Sequence, residues 1–155
     1  MKGLDLIAYI RFLTLLFFCC SVQSLHGQAC KGMVYDHQNQ IDPNPIELRE
    51  IKGQAIDPSA TEMAGLCVGV FTESEHELVK YAQSDEHGNF SLSTENLPDG
   101  EYRLVGQSPG FCPANARIRI KARSRQMKTL LVHMSARGID SCSYVELSKR
   151  KKRGA

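Results

Sequence analysis

Tryptophan is absent from this 155-residue chain, and aromatic residues make up only 7% of it. Ring platforms for sugars or unpaired bases are thereby confined to a few Tyr and Phe. Histidine is scarce, and none of the five forms an H-E-x-x-H or H-x-x-E pair, which excludes a zinc peptidase centre built on those motifs. No cysteines are spaced C-x-x-C, which removes the usual redox and zinc signatures. No D-x-D-x-D run gathers oxygens for calcium. The longest apolar run, Phe12–Cys20, is well short of the ~20 residues that span a bilayer. Helical periodicity of 3.6 residues is almost missing, so the chain has little to offer a helix bundle.

What is present begins with an export leader. Lys2 and Arg11 precede the apolar run, and the polar Ser21-Val22-Gln23-Ser24 follows it, the three-part build of a signal peptide over 1–29. Small residues place cleavage after Ser24 or after Ala29, and the second site leaves Cys30 first. A lipoprotein with Cys30 acylated is the alternative, although Gly27 stands where a lipobox usually has Leu. The expected location is secreted or periplasmic, with lipid anchoring as the minority reading. Removal of the leader leaves 126 residues, enough for one domain over 30–147.

Four cysteines remain: Cys30, Cys67, Cys112 and Cys142. An even number in an exported chain predicts two disulfides, and three pairings are open. The preferred set is Cys30 with Cys142 and Cys67 with Cys112, which ties the chain ends together. Charge is unevenly spread. Lys2, Arg11 and Asp5 give the leader +1 of the net +2, Lys149, Arg150, Lys151, Lys152 and Arg153 carry +5, and residues 30–148 carry −4. The basic end, 148–155, reads as a disordered tail, either simply solvated or in contact with an anionic membrane surface.

The organising stretch is 85–104. Asp85-Glu86-His87-Gly88 is a turn, Phe90 and Leu92 share one face of a strand, Pro98-Asp99-Gly100 is a second turn with Gly100 taking the left-handed residue, and Tyr102 and Leu104 share a face of the next strand. If the Tyr102 ring is buried, its hydroxyl needs a partner. Strands are also expected over 30–35 at an edge, over 46–57 with Ile51, Gly53 and Ala55 on one face, over 66–71 at a central position, and over 78–83. Three more are expected over 116–123, 127–134 and 139–147. Gly53 inside its strand marks a bulge or a close backbone approach. Seven or eight short strands between Gly, Pro and Asp turns predict an all-β, antiparallel sandwich.

The residues that carry this pattern are Ile51-x-Gly53-x-x-x-Asp57, Ala64-Gly65 before Leu66-Cys67-Val68, Asp85-x-x-Gly88-x-Phe90, Leu97-Pro98-Asp99-Gly100-x-Tyr102-x-Leu104, and Pro109-Gly110-Phe111. Over about residues 50–134 they resemble the carboxypeptidase regulatory-like domain, one of the prealbumin-like or transthyretin-like sandwiches. Ala55 and Glu62-Met63 depart from the family's usual Val and Pro-Leu. The resemblance implies a prealbumin-like fold, structural roles for Gly53, Asp57, Gly88, Phe90, Pro98, Gly100 and Tyr102, and an exported, non-catalytic module that accompanies other proteins.

For recognition, the strict alternation Ala116-Arg117-Ile118-Arg119-Ile120-Lys121-Ala122-Arg123 offers the best surface. Arg117, Arg119, Lys121 and Arg123, with Arg125 beyond, place cations along ~25 Å of extended strand, where they would attract sulfate, phosphate or uronate. The plainer reading is the wet side of an edge strand kept charged against pairing. Nucleic acid is not expected, because the body is acidic and no aromatics interleave with these cations. His87 beside Asp85 and Glu86, or loop residues Asp36, Asp42, Asp57 and Asp85 together, are the cation candidates, though turns and solvent account for them as well. No metal or other cofactor is expected.

Enzymes exist on similar sandwiches. The hydroxyisourate hydrolases end Tyr-Arg-Gly-Ser, where this chain ends Lys152-Arg153-Gly154-Ala155. The intradiol dioxygenases need two Tyr and two His on iron, where this chain has Tyr81, Tyr102 and Tyr144 without a matching His pair. The expectation is therefore an exported binding or accessory module with an unknown protein or an anionic glycan as partner. A surface-anchored structural component is the alternative, and a small hydrolase stands third.

Overall fold

Burial alternates along several of the strands and shows which residues turn inward. Val68 and Val70, Tyr102 and Leu104, and Ala116, Ile118 and Ile120 turn inward from one set of strands, while Ile51, Ala55, Phe90, Leu92, Leu130 and Val132 meet them from another, all within one apolar core. The computed structural model describes residues 29–35, 44–121, 128–138 and 142–148. The strands are β1 (Ile46–Leu48), β2 (Ile51–Ile56), β3 (Cys67–Thr72), β4 (Leu78–Gln83), β5 (Asn89–Leu92), β6 (Gly100–Gln107), β7 (Ala114–Ile120), β8 (Leu130–His133) and β9 (Tyr144–Leu147).

The hydrogen-bonded order is β4-β3-β6-β7-β9-β8-β2-β5, with β1 on β7, and only the position Asn115↔Tyr144 joins β7 to β9. One layer is therefore β4-β3-β6-β7-β1 and the other β9-β8-β2-β5, an all-β sandwich. Among the described residues it has nine strands where seven or eight are expected, and three pairings there, β1 with β7, β2 with β8 and β7 with β9, are parallel.

The expected single strand over 46–57 is two. Leu48 and Ile51 are both fully buried, and the exposed pair Arg49-Glu50 between them carries the chain from one layer to the other. β7 is interior to its layer, flanked by β6 on one side and by β1 and β9 on the other, so it is not the edge strand of the plainer reading. Residues 30–35 are not an edge strand either. A 3₁₀ turn, Ala29–Gly32, leads into Met33 and Tyr35, which pack with Cys30, Phe71 and Val105 on the outer face of the first layer.

That packing corrects the cysteine pairing. In β3 the inward Val68 and Val70 force Cys67 outward, directly under the turn that holds Cys30, and the two form a disulfide with Cα atoms 5.3 Å apart. With Cys30 and Cys67 joined to each other, neither Cys30–Cys142 nor Cys67–Cys112 forms, and Cys112 and Cys142 are unbonded in this structure.

The turn chemistry of 85–102 is largely as expected. Gly88 has φ +71°, and the Asp85 carboxylate accepts from the backbone N–H of His87 (2.9 Å) and of Asn89 (2.8 Å), which holds its pKa below the usual range. The Tyr102 hydroxyl donates to the Pro98 carbonyl at 2.9 Å. Gly100, however, opens β6 without a positive φ, and the left-handed residue of that region is Asn96, at φ 66°. Gly53 is a close approach: a Cβ there would lie 2.5 Å from the Leu130 carbonyl oxygen and 2.6 Å from Phe90 Cζ.

Candidate functional site

Outward residues of β7 face outward residues of its neighbours, and the register decides what each cation meets. Glu101 on β6 lies opposite Arg119, and Glu47 on β1 lies opposite it from the other side. Arg117 donates to Glu101 at 2.7 Å, Arg119 donates to the other oxygen of Glu101, and Lys121 donates to Glu47 at 2.5 Å. Arg103 and Arg117 approach Glu73 at 3.3 and 3.7 Å. Donation from Lys121 to Glu47 and from Arg119 to Glu101 lowers both carboxyl pKa values, and the bond to Glu101 raises that of Arg119. The predicted anion surface is thus a lattice of alternating charge, and an incoming sulfate would compete with three carboxylates already in place. Arg123 and Arg125 lie outside the described residues.

At one end of this lattice Tyr35 stacks on His76 with centroids 3.9 Å apart, meets Phe71 edge-on at 5.7 Å, and lies beneath the Arg103 guanidinium. Burial raises the Tyr35 pKa, Arg103 opposes that, and Glu73, 3.4 Å from the hydroxyl, adds to it. The cluster fixes residues 33–35 against the sheet.

Beside the disulfide, Gly32, Met33 and Val34 form one wall of an open groove of about 420 Å³. Met33, Val34, Pro109, Phe111 and Pro113 make it apolar, and Gln107 and Arg137 supply its polar groups. The Gln107 amide is spent on the wall itself: it donates to the Val34 carbonyl at 2.6 Å and accepts from the Val34 N–H at 3.4 Å. Arg137 is held differently. Its backbone N–H donates to Gly110 (3.0 Å) and its Nε to the Phe111 carbonyl (3.1 Å), while its two terminal nitrogens have no partner among the described residues. In the next cross-strand row of the same sheet face, Asn115 is fully buried and neither polar atom of its amide finds a hydrogen-bond partner among the described residues. An apolar trough with a few convergent polar groups is the ordinary build of a small-ligand site.

The other candidates are dispersed. His87 reaches Glu62 and Glu86 at 3.5 and 3.6 Å in an exposed turn. Asp57 and Asp85 are engaged in capping their own turns, and Asp36, Asp42 and the basic residues Lys149, Arg150, Lys151, Lys152 and Arg153 lie outside the described residues. Among the described residues no three His, Cys, Asp or Glu gather as a metal site. Tyr81 is on β4, Tyr102 is in the core, and Tyr144 stacks on His133, whose Nε2 lies 3.1 Å from Glu146. Sequence reasoning passed over Arg137. The available signal was slight: a single cation before Gly138, in a turn after an apolar strand.

No family model matches this chain, and no curated protein is similar to it. Solved structures similar to it include 5-hydroxyisourate hydrolase from Klebsiella pneumoniae, at 16% identity over 64% of this chain and 99% of that one, with a TM-score of 0.48. Sea bream transthyretin, solved in complex with thyroxine, is 13% identical over 64% of this chain and 96% of that one, also at 0.48. Catechol 1,2-dioxygenase from Pseudomonas arvilla C-1 is 14% identical over 71% of this chain and 52% of that one, at 0.34. None of these carries an activity or a ligand over to this chain.

Proposed function

We propose that this chain is an exported, non-catalytic binding or accessory module of the carboxypeptidase regulatory-like kind, and that its groove takes the apolar body of an anionic ligand with Arg137 at the charged end. The observation that carries the reading is the contrast between cations. Those along β7 and at its end are each matched to a carboxylate, whereas Arg137 lines an apolar groove and its terminal nitrogens have no partner among the described residues. Export is supported by the disulfide at Cys30, since such bonds persist in oxidising compartments. A sulfur held in a disulfide has no valence left for a lipid thioether, which counts against anchoring through Cys30.

The test is a titration of the chain lacking residues 1–29 with 1-anilinonaphthalene-8-sulfonate, an aromatic body bearing one sulfonate. With no Trp in the chain, the dye's emission is read without indole background. The expected result is saturable binding that Arg137→Gln weakens by about 10-fold or more, the worth of a charge-assisted contact, and that Arg119→Gln leaves unchanged. Equal affinity in wild type and Arg137→Gln refutes the groove, and loss in Arg119→Gln alone moves recognition to β7. Displacement of the dye by alkyl carboxylates, uronates and neutral sugars then ranks the ligand classes.

A further inference from the structure

We infer that Cys112 and Cys142 form a second disulfide, which staples the loop end of the sandwich beside the groove. The Cys112 N–H donates to the Ser135 carbonyl at 2.8 Å. The Ser143 hydroxyl donates to the Cys112 carbonyl at 2.6 Å and accepts from the Ser135 N–H at 2.7 Å. One serine side chain therefore clamps three backbone segments, and the residue before that serine is Cys142. Bond lengths and that hydrogen bond confine the Cα atoms of residues 112 and 142 to within about 11 Å. A disulfide spans roughly 4.4–6.8 Å between Cα atoms, so a shift of a few ångströms in the segment carrying Cys142 closes the bond.

Access and stoichiometry agree with the geometry. Cys142 is exposed and Cys112 half-buried, so a small disulfide reaches one and the second thiol can follow. Cys30 and Cys67 are already joined, which leaves these two as each other's partner beyond the leader. The chemistry is thiol–disulfide exchange with a low-molecular-weight disulfide as oxidant. The Cys142 thiolate attacks one sulfur of that disulfide, forming a mixed disulfide and releasing one thiol. The Cys112 thiolate then attacks the Cys142 sulfur and releases the second thiol. Two electrons pass to the carrier, and the two cysteine protons balance the two thiols released.

The bond matters to the groove because Cys112 lies between Phe111 and Pro113, both in its wall, and Ser143 lies across from the Ser135–Arg137 turn. Arg137 would then sit on a turn whose two flanking segments are covalently joined.

The experiment equilibrates the folded full chain with oxidised and reduced glutathione, blocks remaining thiols with N-ethylmaleimide, and maps non-reduced tryptic peptides. Cleavage after Arg103, Arg117, Arg137 and Lys149 isolates Cys112 in 104–117 and Cys142 in 138–149. The expected product is those two peptides joined, in most molecules, alongside a Cys30–Cys67 link. Two maleimide adducts on Cys112 and Cys142 while Cys30–Cys67 is intact overturn the proposal, as does either cysteine linked to Cys30 or Cys67. Cys112→Ser and Cys142→Ser supply the control: beyond the leader's Cys19 and Cys20 each should leave one reactive thiol and the Cys30–Cys67 link, and a wild type that shows the same adduct count beyond the leader as either overturns the proposal too. Failure of the export reading appears separately, as failure of cells to remove residues 1–29, and does not alter the linkage result.

Discussion

Replacing Cys30 and Cys67 together by Ala tests whether the disulfide is what holds the outer-face cluster. The bond closes a loop with a sequence separation of 37 residues, for which loop-closure entropy alone gives about 4 kcal/mol at 25 °C. Residual structure in the unfolded chain reduces this, so a loss of about 2–4 kcal/mol is expected if residues 29–35 stay docked through Met33 and Tyr35. If they leave, Phe71 and Val105 gain solvent and the loss exceeds that range, since each such side chain is worth roughly 1.5–3 kcal/mol when fully buried. The lack of Trp makes far-UV circular dichroism the practical probe of urea unfolding. For a domain of this size about 3 kcal/mol lowers Tm by roughly 10 °C. A double variant that unfolds within ~0.5 kcal/mol of wild type, at unchanged m-value, would refute both the entropic account and the role given to Cys30.

Gly53→Ala should destabilise by about 2–3 kcal/mol, because the new Cβ would meet the Leu130 carbonyl at 2.5 Å and a backbone atom cannot swing aside; a urea midpoint equal to wild type would show that the two strands can part. Tyr102→Phe should cost about 1 kcal/mol through loss of the hydroxyl that donates to Pro98, and an unchanged midpoint would remove that bond from the stability of the turn. Acid titration has a defined sign: Glu47, Asp85 and Glu101 all have lowered pKa values in the fold, so their contribution is full above the unfolded carboxylate range of about 4 and is lost as pH falls through the lower folded values. The urea midpoint should fall below about pH 4, and Glu101→Gln should make that fall shallower; a midpoint that rises on acidification contradicts the charge lattice.

The inward face of several strands was legible because strand alternation reports burial directly. Phe90 with Leu92, Tyr102 with Leu104, and Ala116 with Ile118 and Ile120 all turn into the core as their spacing indicates. What alternation does not report is which layer a strand joins. Leu48 and Ile51 are three residues apart and equally buried, and only the exposed Arg49-Glu50 step shows that they belong to opposite layers. Cysteine parity suggested pairs but not partners, since Cys67 faces the N-terminal turn only because Val68 and Val70 claim the core.

The site was less legible for a reason that follows from sheet geometry. A period-2 run of cations states which face they occupy and nothing about what stands across from them. Within a sheet each outward side chain on an interior strand has cross-strand neighbours about 5 Å away on both sides. For β7 those neighbours are Glu101, 18 residues before Arg119, and Glu47, 74 residues before Lys121. No local window contains either pair. Had β7 been an edge strand, one row of partners would be missing and the stripe would keep charge to offer a ligand. A cation in a connecting turn has no such row, and its pairing depends on its own loop. Arg137 spends its Nε and its backbone N–H on residues 110–111 and keeps its terminal nitrogens. Position in the sheet, more than the density of positive charge, therefore determines which cations of this chain can meet an anion.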